Sequence, residues 1–159
     1  MSQKGSMEKE VKFLKDWAVR YIKNKDIITK KIISLKENDN DFVVTRESEH
    51  KYVVVPYLKE IKEIIKEIKK FEHGKTLICF HTKSNFNFLI ENWNEFVELG
   101  RYFLVYFVNP FSKLDRVLSI CPYTHQLISD EESLKLGLNT MAETVEFTTE
   151  EEIKKIVNS

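Results

Sequence analysis

The run LKEIKEIIKEIKKF, residues 58–71, constrains the fold of this chain more than any other segment. Its apolar residues recur at spacings of three and four, so they form one stripe of a helix whose other face carries lysine and glutamate. His73 and Gly74 follow the run and supply a stop signal. The flanking runs HKYVVVPY and KTLICFHT are apolar and rich in β-branched or aromatic residues, and each predicts a strand. A strong helix between two strands indicates an α/β protein.

The same two patterns continue along the chain and predict the order α-β-β-β-α-β-α-β-β-α-α. Residues 101–110, RYFLVYFVNP, are the most hydrophobic run and should form a central strand. Ser84 or Asn85 is the expected cap of the helix that follows the fourth strand. We therefore expect a single three-layer α/β domain over residues 7–159, with a central mixed β-sheet flanked by helices. The remaining predicted elements are helix 7–25, strands 27–35, 41–46, 50–57, 75–82 and 115–122, and helices 84–99, 130–145 and one after Thr148.

Length and composition set the class of protein. A chain of 159 residues suits one domain with its own core, and 42% hydrophobic with 31% charged residues is typical of a globular protein. Residues 1–6 are expected to be a disordered leader or a cloning remnant. No apolar run is long enough for a membrane span, so we expect a cytoplasmic protein with no membrane partner and with reduced cysteines. Richness in Lys, Ile, Glu and Asn is typical of thermophiles.

Asp41, in the run NDFVV, opens the second strand of the predicted meander. The element order over residues 7–82 resembles the core of the PD-(D/E)XK nuclease superfamily, the restriction-endonuclease-like fold. In both, a helix is followed by a three-strand meander, a crossover helix and a fourth strand. The resemblance implies such a core here and places Asp41 at the first catalytic acid. An acid-X-Lys motif should end the third strand, but the chain reads VVPYLK at residues 54–59.

The incomplete motif determines what the resemblance implies about activity. One carboxylate cannot hold a water-rich octahedral Mg²⁺ ion or generate the attacking hydroxide, so we expect an inactive site and no cofactor. An active nuclease would need Mg²⁺ and acids that have moved to other elements. The catalytic residues would then be Asp41, Glu10, Glu60, Glu63 and Lys59.

The cysteines and two of the four histidines fall in two clusters, Cys79 with His81 and Cys121 with His125. If the two strands were neighbours, these four residues would suit tetrahedral Zn²⁺. A Cys–His nucleophile is a further alternative, although neither cysteine follows the pattern of a thiol hydrolase. Free cysteines are commonly small buried apolar residues, so we expect no metal site.

Two predicted strand ends carry polar residues that favour an anion or another ligand. A strand that ends in hydroxyl, lysine and free amide groups before a helix is the usual setting of such a site, and ligands bind at the carboxyl ends of strands. Helix capping explains the same residues without a ligand. The predicted ligand-binding residues are His81, Thr82, Lys83, Ser84, Asn85, Thr124 and His125.

Charge is unevenly distributed although the net charge is zero. Residues 1–36 carry ten basic and four acidic residues, a net +6, and residues 127–159 carry three basic and eight acidic residues, a net −5. This asymmetry suits an anionic partner at the basic end or head-to-tail self-association. Lysines of the first helix and of residues 58–71 could follow phosphates, although glutamates interleave with the latter. Trp17 is interpreted as core packing because it lies on an apolar stripe.

We therefore expect an accessory protein that associates with DNA or RNA through a degenerate, inactive nuclease-like fold. One alternative is a protein–protein interaction module that acts through self-association as a homo-oligomer. The other is an active Mg²⁺-dependent nuclease with relocated acidic residues.

Overall fold

The computed structural model describes the backbone of residues 2–159 and the side chains of residues 8–159 other than Lys62. The side chains of residues 1–6 are not described, so the prediction that these residues are a leader or a cloning remnant stays a prediction. The helices are α1 Ser2–Thr29, α2 Lys62–Lys70, α3 Lys83–Glu91, α4 Trp93–Val97, α5 Pro122–Ile128, α6 Glu131–Ala142 and α7 Glu150–Val157. The strands are β1 Ser34–Glu37, β2 Asp41–Thr45, β3 Glu49–Val54, β4 Gly74–Phe80, β5 Phe103–Val108 and β6 Val117–Ile120, with a 3₁₀ helix at Leu58–Glu60.

The six strands form one mixed sheet in sequence order, from β1 at one edge to β6 at the other. Strands β1, β2 and β3 are an antiparallel meander. Strands β3, β4 and β5 are parallel, because a helical connection returns the chain to the same end before each new strand. Strand β6 pairs antiparallel with β5. The predicted α/β class, with a central mixed sheet between helices, is confirmed.

Side-chain alternation divides the core between the two faces of the sheet. One face packs against α2, α3, α4 and α6, and we call it the α2 face. The other packs against α1 and α7, and we call it the α1 face. The α2 face carries Val53, Leu77, Cys79, Val105 and Phe107, and the α1 face carries Phe42, Tyr52, Val54, Ile78 and Phe80.

The first helix is longer than the sequence pattern predicts, because residues 27–29 belong to α1 and β1 begins only at Ser34. The chain leaves the helix at Lys30, which has a left-handed backbone with φ 49°. The Asp26 carboxylate accepts hydrogen bonds from the backbone N–H groups of Lys31 and Ile32, at 2.9 and 3.1 Å. These bonds stabilise a turn where the β-branched pattern alone predicts a strand.

A second prediction is wrong at its end, because the predicted strand 115–122 does not include Pro122. Pro122 begins helix α5, which continues to Ile128. Pro122 occupies the start of the helix, where its ring fixes a helical φ and its missing N–H costs no hydrogen bond. Thr124 and His125 therefore lie on a helix.

Two smaller corrections concern helix boundaries. The predicted helix 58–71 is divided into the 3₁₀ turn and α2, and the predicted helix 84–99 is divided into α3 and α4. The cap of α3 is Thr82, whose hydroxyl accepts a hydrogen bond from the Asn85 N–H at 3.1 Å, and not Ser84 or Asn85. Among the described residues, no helix combines the length and the apolar character needed to cross a membrane.

Candidate functional site

Asp41, the predicted first nuclease acid, begins β2 at the edge where β3, β4 and β5 end, which we call the carboxyl edge. Asp41 pairs with Val53 and so lies on the α2 face. Its Oδ1 accepts a hydrogen bond from Asn38 Nδ2 at 2.8 Å, and its Oδ2 lies 3.8 Å from Lys51 Nζ. A turn amide and a lysine therefore surround this carboxylate.

Glu10 lies on the opposite side of the sheet, since it belongs to α1 and is only 1% exposed. Burial first, and then the neighbouring Glu10 carboxylate, raise the pKa of Tyr57 well above its usual value. Glu10 Oε2 and the Tyr57 hydroxyl are both buried, and neither makes a hydrogen bond of ordinary geometry to a described residue. The sheet thus separates Glu10 from Asp41.

The other predicted nuclease residues follow β3. Lys59 Nζ lies 5.8 Å from the centre of the Tyr57 ring, and Glu63 is exposed on α2. Glu60 lines a crevice of about 780 Å³ at the carboxyl edge, between α1 and α2. Among the described residues, no three His, Cys, Asp or Glu side chains are grouped to hold a metal ion. The predicted acids are therefore spread over two faces of the sheet, and the arrangement does not fit Mg²⁺. The crevice is lined by Glu8, Val11, Lys12, Lys15, Asp39, Asn40, Val54, Val55, Pro56, Glu60 and Ile64.

The direction of β6 overturns the alternative zinc set. Cys79 and His81 share the α2 face near the carboxyl edge, as the spacing predicts. Cys121 follows Ile120, which pairs with Val105 in the first half of β5. Cys121 therefore lies toward the end of the sheet where the parallel strands begin, away from the carboxyl edge. Because β6 is antiparallel to its neighbour, the four predicted ligands do not converge.

The same geometry divides the predicted ligand site into two places. His81 to Asn85 follow the end of β4, at the carboxyl edge. Thr124 and His125 lie on α5 beyond the end of β6, where the parallel strands begin. The rule that strand ends meet applies to parallel strands only, and the sequence pattern of β6 does not show its direction.

His81 is buried, and its ring makes contacts within the protein. Its Nε2 donates a hydrogen bond to the Ala142 carbonyl at 2.8 Å, and its ring stacks on Phe147 with ring centres 4.2 Å apart. Burial lowers the pKa of His81, so the imidazole is neutral near pH 7. The side chain joins the end of β4 to the segment between α6 and α7.

Asn85 is also buried and fully bonded. Its Nδ2 donates to the carbonyls of Pro56 and Phe80, both at 2.8 Å, and its Oδ1 accepts from the Leu58 N–H at 2.9 Å. Of the predicted run, only Lys83 and Ser84 are exposed. Ligand binding by these residues stays a prediction.

A different groove, which we call the α1 groove, lies between α1 and the segment from β5 to β6 and has a volume of about 690 Å³. The rings of Trp17 and Tyr21, one helical turn apart, stack with centres 5.2 Å apart and planes 13° apart. Arg20 and Arg116 also line the groove, and both are exposed. The full lining is Trp17, Arg20, Tyr21, Asn24, Pro110, Leu114, Asp115, Arg116 and Val117.

Aromatic residues extend from the α1 groove across the α1 face of the sheet. Lys25 Nζ lies 4.7 Å from the Tyr21 ring centre, and the rings of Tyr52 and Tyr106 are 6.4 Å apart. Burial, and then the neighbouring Tyr52 and Tyr21, raise the pKa of Tyr106 to about 12. Tyr106 is half-buried.

The α1 groove combines stacked rings with cationic side chains, which is the chemistry that binds single-stranded nucleic acid. The apolar stripe of the first helix predicts that Trp17 packs in the core, and Trp17 does pack partly against the core on the α1 face. The i, i+4 spacing of Trp17 and Tyr21, with Arg20 and Asn24 beside them, is the signal that could have indicated a polar-aromatic face. Arg116 enters from a loop, and no local pattern predicts that contact.

No protein-family model, curated protein or solved structure matches this chain. The resemblance to the nuclease superfamily therefore rests on element order and on Asp41, and it stays a prediction.

Proposed function

We propose that this protein binds single-stranded nucleic acid in the α1 groove without cleaving it. The observation that carries the proposal is the stacked Trp17–Tyr21 pair in a groove that Arg20 and Arg116 also line. Bases stack on aromatic rings, and guanidinium groups bind phosphates. The groove holds two arginines against one acid, Asp115, and Lys25 extends the positive charge beyond Tyr21.

The absence of catalysis is the second part of the proposal. A helix, an antiparallel meander and a parallel fourth strand occur in the order typical of the nuclease core, which supports a degenerate member of that fold. Asp41 is paired with Asn38 and Lys51, and Val53 lies opposite it on β3. With Glu10 on the other face of the sheet, nothing among the described residues completes a Mg²⁺ site around Asp41.

Fluorescence anisotropy with labelled single-stranded DNA, single-stranded RNA and duplex DNA, at low and moderate salt, tests the function. We expect salt-sensitive binding that favours the single strands. Arg20→Gln should weaken binding and reduce the salt slope by about 0.7, the contribution of one phosphate contact in a single strand. Lys66→Gln, the same loss of one exposed charge on α2, is the matched control and should leave affinity unchanged.

Tryptophan fluorescence gives a second readout of the same site. Trp17 lines the α1 groove, whereas Trp93 is buried and donates from Nε1 to Gln126 Oε1 at 2.7 Å. Stacked bases should quench the emission of Trp17, and Trp17→Phe should abolish most of the quenching.

No binding at low salt would refute the function, and equal losses from Arg20→Gln and Lys66→Gln would refute the site. Cleavage of the probe with Mg²⁺ that Asp41→Ala abolishes would show an active nuclease with relocated acids and would contradict the non-catalytic part.

A further inference from the structure

Three isoleucines are exposed where α1 ends and the chain turns into β1, and we call them the isoleucine patch. Ile27, Ile28 and Ile33 are 63%, 91% and 77% exposed. Three β-branched apolar side chains so close in sequence and so exposed are unusual on the surface of a monomer.

A groove of about 480 Å³ adjoins the isoleucine patch and has positive charge at its rim. Ile27, Ile32 and Leu35 line it together with Lys23, Lys30 and Asp26. The Asp26 carboxylate is occupied by the N–H groups of Lys31 and Ile32. The groove therefore offers an apolar surface and lysine charge to whatever binds there.

Three further exposed apolar side chains flank the junction of α5 and α6, and we call them the leucine corner. Leu127, Ile128 and Leu136 are 68%, 74% and 71% exposed. Exposed acids adjoin it at Glu131 and Glu132, and at Asp130, whose carboxylate caps α6 by accepting from the Ser133 N–H at 2.8 Å. The exposed lysine on the same helix is Lys135. The leucine corner is thus apolar and acidic, where the isoleucine patch is apolar and basic.

The two surfaces lie far apart on the sheet. The isoleucine patch adjoins β1, since the Ile33 N–H donates to the Thr45 carbonyl at 2.7 Å, and helix α5 of the leucine corner contacts β5 and α4. Strand β5 is four steps from β1 in the sheet, so about 19 Å separates these two strands at about 4.8 Å per step. The two surfaces cannot cover each other within one chain.

We propose that the leucine corner of one copy binds the isoleucine patch of a second copy, head to tail. Each surface has apolar residues to bury and a charge of the sign that the other lacks, so the complement of each is present on the same chain. The contact is heterologous, and it closes into a ring or continues as a chain of copies. The α1 groove is not part of it, so this proposal and the nucleic-acid proposal succeed or fail separately.

Sedimentation velocity over a range of concentrations, at low and high salt, tests the association. The wild-type protein should associate as concentration rises, and salt should weaken the association because exposed charges contribute. Ile28→Glu gives the isoleucine patch a negative charge that repels the acidic leucine corner, and Leu136→Lys gives the leucine corner a positive charge that repels the basic isoleucine patch. Each variant alone should be monomeric where the wild-type protein associates. Leu114→Glu changes an 84% exposed leucine that lines the α1 groove, outside the isoleucine patch and the leucine corner, and serves as the matched control for self-association only.

A mixture of the two variants distinguishes head-to-tail association from any symmetric contact. Ile28→Glu keeps its leucine corner and Leu136→Lys keeps its isoleucine patch, so an equal mixture should associate through this unaltered pair of surfaces, in complexes of two or more chains. A wild-type protein that stays monomeric at all concentrations would overturn the proposal. Association of either variant alone, or a mixture that stays monomeric, would also overturn it.

Discussion

At the scale of single residues, Asn85 shows how one buried amide joins three parts of the fold. Its side chain bonds the Leu58 N–H, the Pro56 carbonyl and the Phe80 carbonyl, which belong to the chain after β3 and to the end of β4. The Leu58 N–H has no other partner among the described residues. The Pro56 and Phe80 carbonyls also accept from the Phe80 and Thr82 N–H groups, at 3.3 and 3.0 Å. A buried N–H without a partner is costly. Asn85, one of the predicted ligand-binding residues, thus joins α3 to the chain after β3 and to the end of β4.

Asn85→Ala should lower the free energy of unfolding by about 3 kcal/mol, since it removes three buried hydrogen bonds at about 1 kcal/mol each and leaves the Leu58 N–H without a partner. Urea unfolding followed by circular dichroism measures the loss. Ser84→Ala, at the exposed neighbouring position, is the control and should change stability little. A loss below about 0.5 kcal/mol for Asn85→Ala, the lower limit for a single hydrogen bond, would contradict the role of the amide.

His50 predicts how stability depends on pH. Its Nε2 lies 2.6 Å from Thr76 Oγ1, and burial, followed by the charge of Arg46, lowers its pKa to about 4. The folded pKa is below the unfolded value, so the neutral ring stabilises the fold above pH ~6.5 and that stability is lost as pH falls toward 4. Between pH 7 and pH 4.5 the loss should be about 2 kcal/mol after allowing for solvent screening.

Urea unfolding at the two pH values tests this for the wild-type protein and for His50→Gln, which cannot take up the proton. The variant should lose less stability on acidification by the amount that His50 contributes. The buried His81 is present in both proteins, so its effect cancels in the comparison. Identical losses in the two proteins would show that His50 does not titrate as described.

At the scale of secondary-structure elements, Lys75 connects β4 to the end of α2. It is a buried lysine, 8% exposed, whose Nζ donates to the carbonyls of Ile68 and Phe71 at 3.0 and 3.2 Å. These carbonyls lie at the C-terminus of α2, where the helix dipole favours a cation. Burial lowers the pKa of Lys75, so the bonds to the helix end compensate for part of the cost of desolvation.

Lys75→Met should keep most of the apolar packing but lose both charge-assisted bonds, and we expect it to cost about 2 kcal/mol of stability. Lys69→Met is the matched control, because Lys69 is exposed and its 3.8 Å pair with Glu98 should contribute less than about 1 kcal/mol. Urea midpoints compare the two, and hydrogen exchange should be faster in α2 of Lys75→Met only. Equal costs for the two variants would exclude a special role for Lys75.

At the scale of the whole molecule, two separate surfaces carry the two proposals. The α1 groove lies on the α1 face of the sheet, and the proposed self-association uses the isoleucine patch beside β1 and the leucine corner at α5 and α6. Arg20→Gln should therefore weaken nucleic-acid binding and leave sedimentation unchanged. Ile28→Glu should abolish self-association and leave the affinity for a short oligonucleotide, long enough for one copy only, unchanged. An effect of either variant on both measurements would mean that the surfaces are coupled.

Local patterns were enough to predict most of the elements. The helix at residues 62–70, the strand at 41–45 and the apolar strand at 103–108 follow from periodicity and from stop signals, which depend on residues a few positions apart. The predicted three-strand meander and the α/β class are confirmed for the same reason. The helix α5 was missed because ICPYTH reads as the end of a strand unless Pro122 is recognised as the first residue of a helix.

Contacts between distant residues determined the rest, since a strand has the same pattern of side chains whichever direction it runs. The antiparallel pairing of β6 places Cys121 away from His81 and removes the zinc site. The sheet lies between Glu10 and Asp41, although both precede β3 in the chain. Arg116 reaches the groove of Trp17 across about a hundred residues of sequence, because the loop after β5 returns to α1. The periodicity of apolar residues determines which face of each helix or strand is buried. Only tertiary packing determines which of these faces contact each other and which strand ends lie together.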